Sequence, residues 1–118
     1  MMVDYPKQGE IWWASFFEGW ERPSIVVSRN ELNRGRLLLV VPCTSSRVQE
    51  RAPYPNHVLI PSGTGELTRD TIAQTHLLQP IEVSYLERKM GKLNIEQLAE
   101  ILLAIAWSID LFDTARQS

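Results

Sequence analysis

Hydrophobic and polar positions alternate in short blocks along most of the chain and form a helical stripe only near its C-terminal end. Residues 10–17, EIWWASFF, are bulky and aromatic and predict a strand. The loop EGWERP follows, with Gly19 allowing a tight turn, and SIVVS at 24–28 predicts a second strand. RNELNRG, 29–35, fits either a short helical turn or a loop ending on Gly35. RLLLVVP, 36–42, reads as a strand buried on both faces. A polar, proline-bearing loop, 45–56, leads to a strand at HVLIP, 57–61, and a turn at SGTGE, 62–66. Short strands are expected near 71–75 and 76–81, with Pro80 marking an edge or a strand end. SYLERK, 84–89, is expected to form a short helical turn that Gly91 terminates. In the last segment Asn94 is placed to cap a helix, and Gln97 stands in capping-box position. Leu98, Ile101, Leu102, Ile105, Ile109 and Phe112 then recur on one helical face, widened by Leu103 and Trp107. A helix this apolar has to lie against a sheet or a partner. Many short strands and then one helix predict a β-dominated α+β fold, a strongly curved antiparallel sheet or partial barrel with the C-terminal helix packed on it.

Composition narrows the function classes. The 118 residues fit a single domain, 1–118, and 44% hydrophobic residues can supply a core. A net charge of -2 argues against non-specific coating of nucleic acid. The average hides an asymmetry. Residues 22–51 carry six arginines against two glutamates, while residues 94–113 carry four carboxylates and no lysine or arginine. The first stretch could attract an anion that the second repels. The lone Cys43 excludes an internal disulfide and suits a reducing compartment; its place in a strand pattern fits a buried filler better than a nucleophile. With His57 and His76 it makes no metal-ligand spacing, so neither a metal nor another cofactor is expected. The apolar patch IWWASFF is too short to span a membrane, and no signal segment is visible. A cytoplasmic protein without a membrane partner is the expectation.

The exit of the third strand raises a chemical question. After five consecutive aliphatic residues, 37–41, the chain delivers Pro42, Cys43, Thr44, Ser45, Ser46 and Arg47. Hydroxyl groups there either satisfy loose backbone groups at a strand end or join a guanidinium in meeting a phosphate.

The series GEIWWASF, RPSIVVS, LVVPCTS and LTRDTIAQTHLLQPI, followed by an apolar C-terminal helix, resembles the MazF/PemK family of toxin endoribonucleases from about residue 8 to residue 112. The resemblance implies an SH3-like barrel with helices, a homodimer, and metal-independent cleavage of single-stranded RNA at short sequences. The expected products are a 2′,3′-cyclic phosphate and a 5′-hydroxyl. It also implies an antitoxin partner that holds the toxin inactive. Family members place an arginine before a proline at the start of the second strand, matched by Arg22, and a threonine at the end of the third, matched by Thr44. The first loop is shorter than the family's, with Glu18 the nearest counterpart of its acidic residue and Glu21 a second possibility. In the stretch QTHLLQ, His76 falls on an acidic family position and Gln74 on a basic one.

These residues suit the implied reaction. Attack of a ribose 2′-hydroxyl on the adjacent phosphate needs a proton acceptor, compensation of charge on the non-bridging oxygens, and protonation of the leaving 5′ oxygen. Arg22 offers paired donors that match phosphate oxygens, and Thr44, with Ser45, adds hydroxyl donors. For proton transfer the candidates are His76, whose ordinary pKa lies near neutrality, and Glu18. For RNA binding, Trp20 and Tyr54 could stack on bases, Arg47 and Arg51 could pair with flanking phosphates, and Gln74 could contact the strand. Two other readings stay open at this point: a CcdB-like gyrase poison built on the same barrel, and a family member that binds RNA without cutting it. Trp107 is followed by eleven residues, which disfavours the first, because those poisons engage their target through a C-terminal tryptophan.

Overall fold

The computed structural model describes residues 4–109. Seven antiparallel strands form one open sheet in the order β4-β5-β3-β2-β1-β7, with β6 pairing to β3. The strands are β1 (Glu10–Phe17), β2 (Trp20–Val26), β3 (Leu37–Thr44), β4 (His57–Ile60), β5 (Thr71–Gln74), β6 (Gln79–Glu82) and β7 (Leu86–Lys92). Short helices α1 (Asn30–Asn33) and α2 (Val48–Arg51) interrupt two connections, and α3 (Ile95–Ser108) follows the last strand. The β-dominated architecture with one C-terminal helix is as expected, and the sheet does not close into a barrel. Phe112 lies outside the described residues.

β3 organises the sheet by changing partner part-way along one edge. Its first half pairs with β6, Leu37 opposite Glu82 through Val40 opposite Gln79, and its end pairs with β5, Cys43 opposite Ala73 and Thr44 opposite Ile72. Alternation along the strands loads both faces. One face carries Ile11, Ile25, Val41, Cys43, Ile60 and Ala73 and receives Ile101 and Ala104 of α3. The other carries Ala14, Val26, Leu38, Val40, Ile81 and Leu86, with Trp12 and Phe16 packed against them. β3 is fully buried only from Val40 onward, because Leu37 and Leu39 face solvent.

Several boundaries differ from the expectation. SYLERK is not a helical turn: after a 3-10 turn at Val83–Tyr85 the chain enters β7, which pairs with β1 from Leu86 opposite Ala14 to Lys92 opposite Glu10. Leu86 and Met90, four apart, are the buried residues there, a spacing that suits a helix as well as a bulged strand, and the ladder with β1 decides. β2 starts at Trp20, so the first connection is the two-residue turn Glu18–Gly19, with Gly19 at φ +83. The polar stretch after Thr44 contains α2, and 75–77 is a 3-10 turn rather than the start of a strand. In α3 the expected capping box forms, Asn94 Oδ1 accepting from the Gln97 amide and Gln97 Oε1 from that of Asn94. The helix buries Ile101 and Ala104 while leaving Leu102, Leu103, Trp107 and Ile109 exposed, so the buried stripe is narrower than the apolar one.

One close approach fixes the turn before β5. Gly65 lies against β7 so tightly that an added Cβ would stand 2.4 Å from the Met90 carbonyl oxygen, and one on Gly91 would stand 2.6 Å from Gly65 Cα. The Glu66 amide donates to that same Met90 oxygen at 2.7 Å.

Candidate active site

The pairing of β2 with β3 dictates where Arg22 and Thr44 meet. Ser24 stands opposite Pro42 and Val26 opposite Val40. Continuing that antiparallel spacing one step brings Arg22 opposite Thr44, on the same face, because side chains repeat every second residue. Pro23 keeps Arg22 extended, and Thr44 ends β3 where β5 still pairs with it. Residues 22 apart in the chain thus become cross-strand neighbours, with Arg22 Nη1 donating to Thr44 Oγ1 at 3.4 Å.

Their bonding leaves capacity for a ligand. Thr44 is buried, and its Oγ1 also accepts from the Ser46 amide at 3.1 Å. With two N–H groups directed at the oxygen, the hydroxyl proton is free to donate elsewhere. Arg22 Nε is buried without a hydrogen-bond partner, and the guanidinium lies 5.4 Å from the Trp20 ring. A cavity of about 340 Å³ opens here, lined by Arg22, Thr44, Ser45 and Ser46 on one side and by Glu66, Thr68 and Arg69 of the 61–70 connection on the other.

Glu21 also lines this cavity. Its Oε2 accepts from Trp13 Nε1 at 3.0 Å, which fixes the carboxylate at the cavity wall. Glu66 also lines it but is ion-paired with Arg88. Family likeness puts Glu21 second, after Glu18 as the nearest counterpart of the acidic residue in the first loop. Once β2 is seen to start at Trp20, Glu21 belongs to the strand beside Arg22.

The remaining sequence candidates lie elsewhere. Glu18 occupies the exposed turn at the hairpin tip and does not line the cavity. His76 sits in the 3-10 turn beyond β5, its Nδ1 2.7 Å from Asn56 Nδ2 and its ring 5.6 Å from that of His57. Burial first, then the neighbouring His57 and Arg51, hold its pKa below the ordinary histidine value. Gln74 is buried at the end of β5, opposite His57 and not Thr44. Arg51 belongs to α2, where its carbonyl accepts from His57 Nδ1 at 2.6 Å, and exposed Tyr54 stands edge-on to His57. Arg47 is exposed beside Ser46, in a left-handed conformation at φ 55. The structure therefore unites Arg22, Thr44 and Ser45, sets Trp20 against Arg22, and leaves Glu18, Tyr54, Gln74, His76 and Arg51 away from the cavity lining. Cys43 lines it but is fully buried, and burial pushes its thiol up to about 12.

This constellation can be set beside known proteins. The model of PemK-like, MazF-like toxins of type II toxin–antitoxin systems matches residues 7–109. The chain belongs to this family. The protein named endoribonuclease MazF9 of Mycobacterium tuberculosis is 31% identical over 118 residues, covering 90% of this chain and 98% of its own. From the same organism, "Probable endoribonuclease MazF5" is 27% identical over 110 residues, 92% of this chain and 97% of the relative. A mycobacterial endoribonuclease solved in complex with its cognate antitoxin superposes with a TM-score of 0.77 at 18% identity, covering 90% of this chain and 96% of that one. That structure shares the strand-rich fold of this PemK/MazF-like toxin.

Proposed function

We propose that the protein is an RNA-cleaving toxin whose phosphate site is formed by Arg22 and Thr44. The convergence of a guanidinium and a spare hydroxyl donor on one cavity carries this reading, and the relatives named as endoribonucleases support it. Single-stranded RNA enters with a phosphodiester against Arg22 and Thr44. The 2′-hydroxyl proton passes to the Glu21 carboxylate, the 2′-oxygen forms a bond to phosphorus, and the P–O5′ bond breaks. The leaving oxygen takes its proton from water. The products are a 2′,3′-cyclic phosphate and a 5′-hydroxyl. Arg22 and Thr44 donate to the non-bridging oxygens as charge gathers there, so no metal is required for that task. Glu21 replaces Glu18 and His76 as proton acceptor because it shares the cavity and they do not.

In this reading the toxin is a single-domain homodimer that recognises short sequences and is silenced by an antitoxin. The exposed apolar residues Leu103, Trp107 and Ile109 of the C-terminal segment favour a protein partner on that side. The decisive experiment incubates the purified protein with a long single-stranded RNA in EDTA and maps the ends. Cyclic-phosphate ends that fall about 10²–10³-fold in each of Arg22→Ala and Thr44→Ala are expected. Intact RNA with retained binding, or cuts insensitive to both substitutions, would overturn the proposal.

A further inference from the structure

The tip of the β1–β2 hairpin carries aromatic residues that neither core accounts for. Phe17 is 65% exposed, the most exposed aromatic side chain among the described residues. It is nevertheless ordered by its neighbour: its ring lies 5.2 Å from that of Trp20, at 17°. Phe16 braces Trp20 from another direction, at 4.5 Å and 52°. Cross-strand pairing of Phe17 with Trp20 and the two-residue turn through Gly19 hold the stack in place. Trp20 also meets the Arg22 guanidinium, 5.4 Å from its ring, and that guanidinium reaches Thr44. A series of contacts therefore runs from a hydroxyl and a cation, through an indole, to a largely exposed phenyl ring.

We infer that Phe17 is a stacking platform for a nucleobase, contiguous with the phosphate site at Arg22 and Thr44; this rests on the reading of that site as one for RNA. A solvent-facing ring stacked on an indole that itself contacts a cation fits a ligand in which a π-face is covalently tethered to an anion, and a nucleotide is such a ligand. Phe17 reads no base edge, so the platform accepts any base and contributes affinity rather than sequence discrimination. The turn is too short to act as a flap, so the platform stands ready before RNA arrives, and little ordering cost opposes binding.

The test uses the full chain and a single-stranded RNA made uncleavable by 2′-O-methyl groups, with binding read by fluorescence anisotropy. Phe17→Ala weakens binding about 5- to 100-fold, while Phe17→Trp stays within about 3-fold of the native protein. A matched oligonucleotide carrying abasic positions binds native protein and Phe17→Ala alike, an equality that a merely structural role would not produce. On cleavable RNA, Phe17→Ala raises KM and leaves kcat unchanged. Native-like binding by Phe17→Ala overturns the platform, as does equal weakening toward the abasic strand, or loss of binding to the antitoxin alone. If Phe17→Ala weakens binding but the native protein cuts nothing, the platform stands and the cleavage reading falls. If Arg22→Ala abolishes cleavage while Phe17→Ala changes nothing, the reverse holds.

Discussion

Two polar clusters flank β5 and are built from similar residues, yet they invite opposite readings. At one end Arg22, Thr44 and Ser45 meet at a cavity; at the other, His57, His76, Arg51 and Thr75 crowd around the 3-10 turn. In the second cluster the bonds run inward. Thr75 Oγ1 donates to the Asn56 carbonyl at 2.6 Å and lies 2.9 Å from Ser108 Oγ, and His57 Nδ1 donates to the Arg51 carbonyl. These bonds tie the 45–56 connection to the sheet and to α3. His57 Nε2 and Arg51 Nε are left without partners, but neither residue lines the cavity beside Thr44. At the first end Thr44 keeps a proton to give, and an unpaired Arg22 nitrogen stands beside it. Residue type does not separate a site from a strut; the direction of the remaining hydrogen-bonding capacity does.

Substitutions can break this contrast. Glu21→Gln lowers the cleavage rate about 10²-fold with RNA binding retained, whereas His76→Gln stays within about 2-fold of native, as single-turnover kinetics would check. A histidine-dependent rate would instead drop as pH falls through the His76 value, which lies below 6.5. Thr75→Val acts on the strut: it costs about 1–3 kcal/mol in denaturant unfolding, because the Asn56 carbonyl and Ser108 lose a partner, while cleavage by the folded protein is unchanged.

Two smaller effects concern a carboxylate and a thiol that neither cluster uses. Burial alone would raise the Glu10 pKa, but bonds from the Lys7 amide, Lys89 and Trp12 bring it below 4.5. Its contribution is therefore complete above 4.5 and lost as pH falls through the lower folded value. Glu10→Gln reduces stability by about 1 kcal/mol at neutral pH, and the difference from native shrinks in acid. Cys43, with its thiol pushed up to about 12, escapes alkylation in the native protein at pH 8 and reacts only on unfolding, as mass spectrometry would detect.

The legible parts of the sequence were those set by local chemistry. The capping box at Asn94 and Gln97 needs only three residues of spacing, and it formed as expected. Thr44 after an aliphatic run likewise marked the end of β3, whereas Arg22, expected at the start of the second strand, lies two residues inside β2. Their meeting depends on the β2–β3 register, which the residues suggest only through family likeness. What stayed hidden depends on pairing. The segment Leu86–Lys92 has helix-compatible spacing and becomes a strand because β1 offers it an edge. Glu21 could not be told from a loop residue until the hairpin turn was seen to shrink to Glu18–Gly19. His76 drew notice for its titration range, but tertiary contacts put it beyond β5 with Asn56 as its neighbour.

The approach of Gly65 to Gly91 gives the cavity beside Arg22 and Thr44 an unusual kind of wall. Missing methyl groups let one rim, carrying Glu66, Thr68 and Arg69, sit directly on the neighbouring strand. Even alanine at either position would lever that rim outward, because main-chain atoms cannot rotate aside. The width of the opening is thus locked by two absent side chains, and changes in what the cavity accepts should come from swapping what the rim displays rather than from moving the rim.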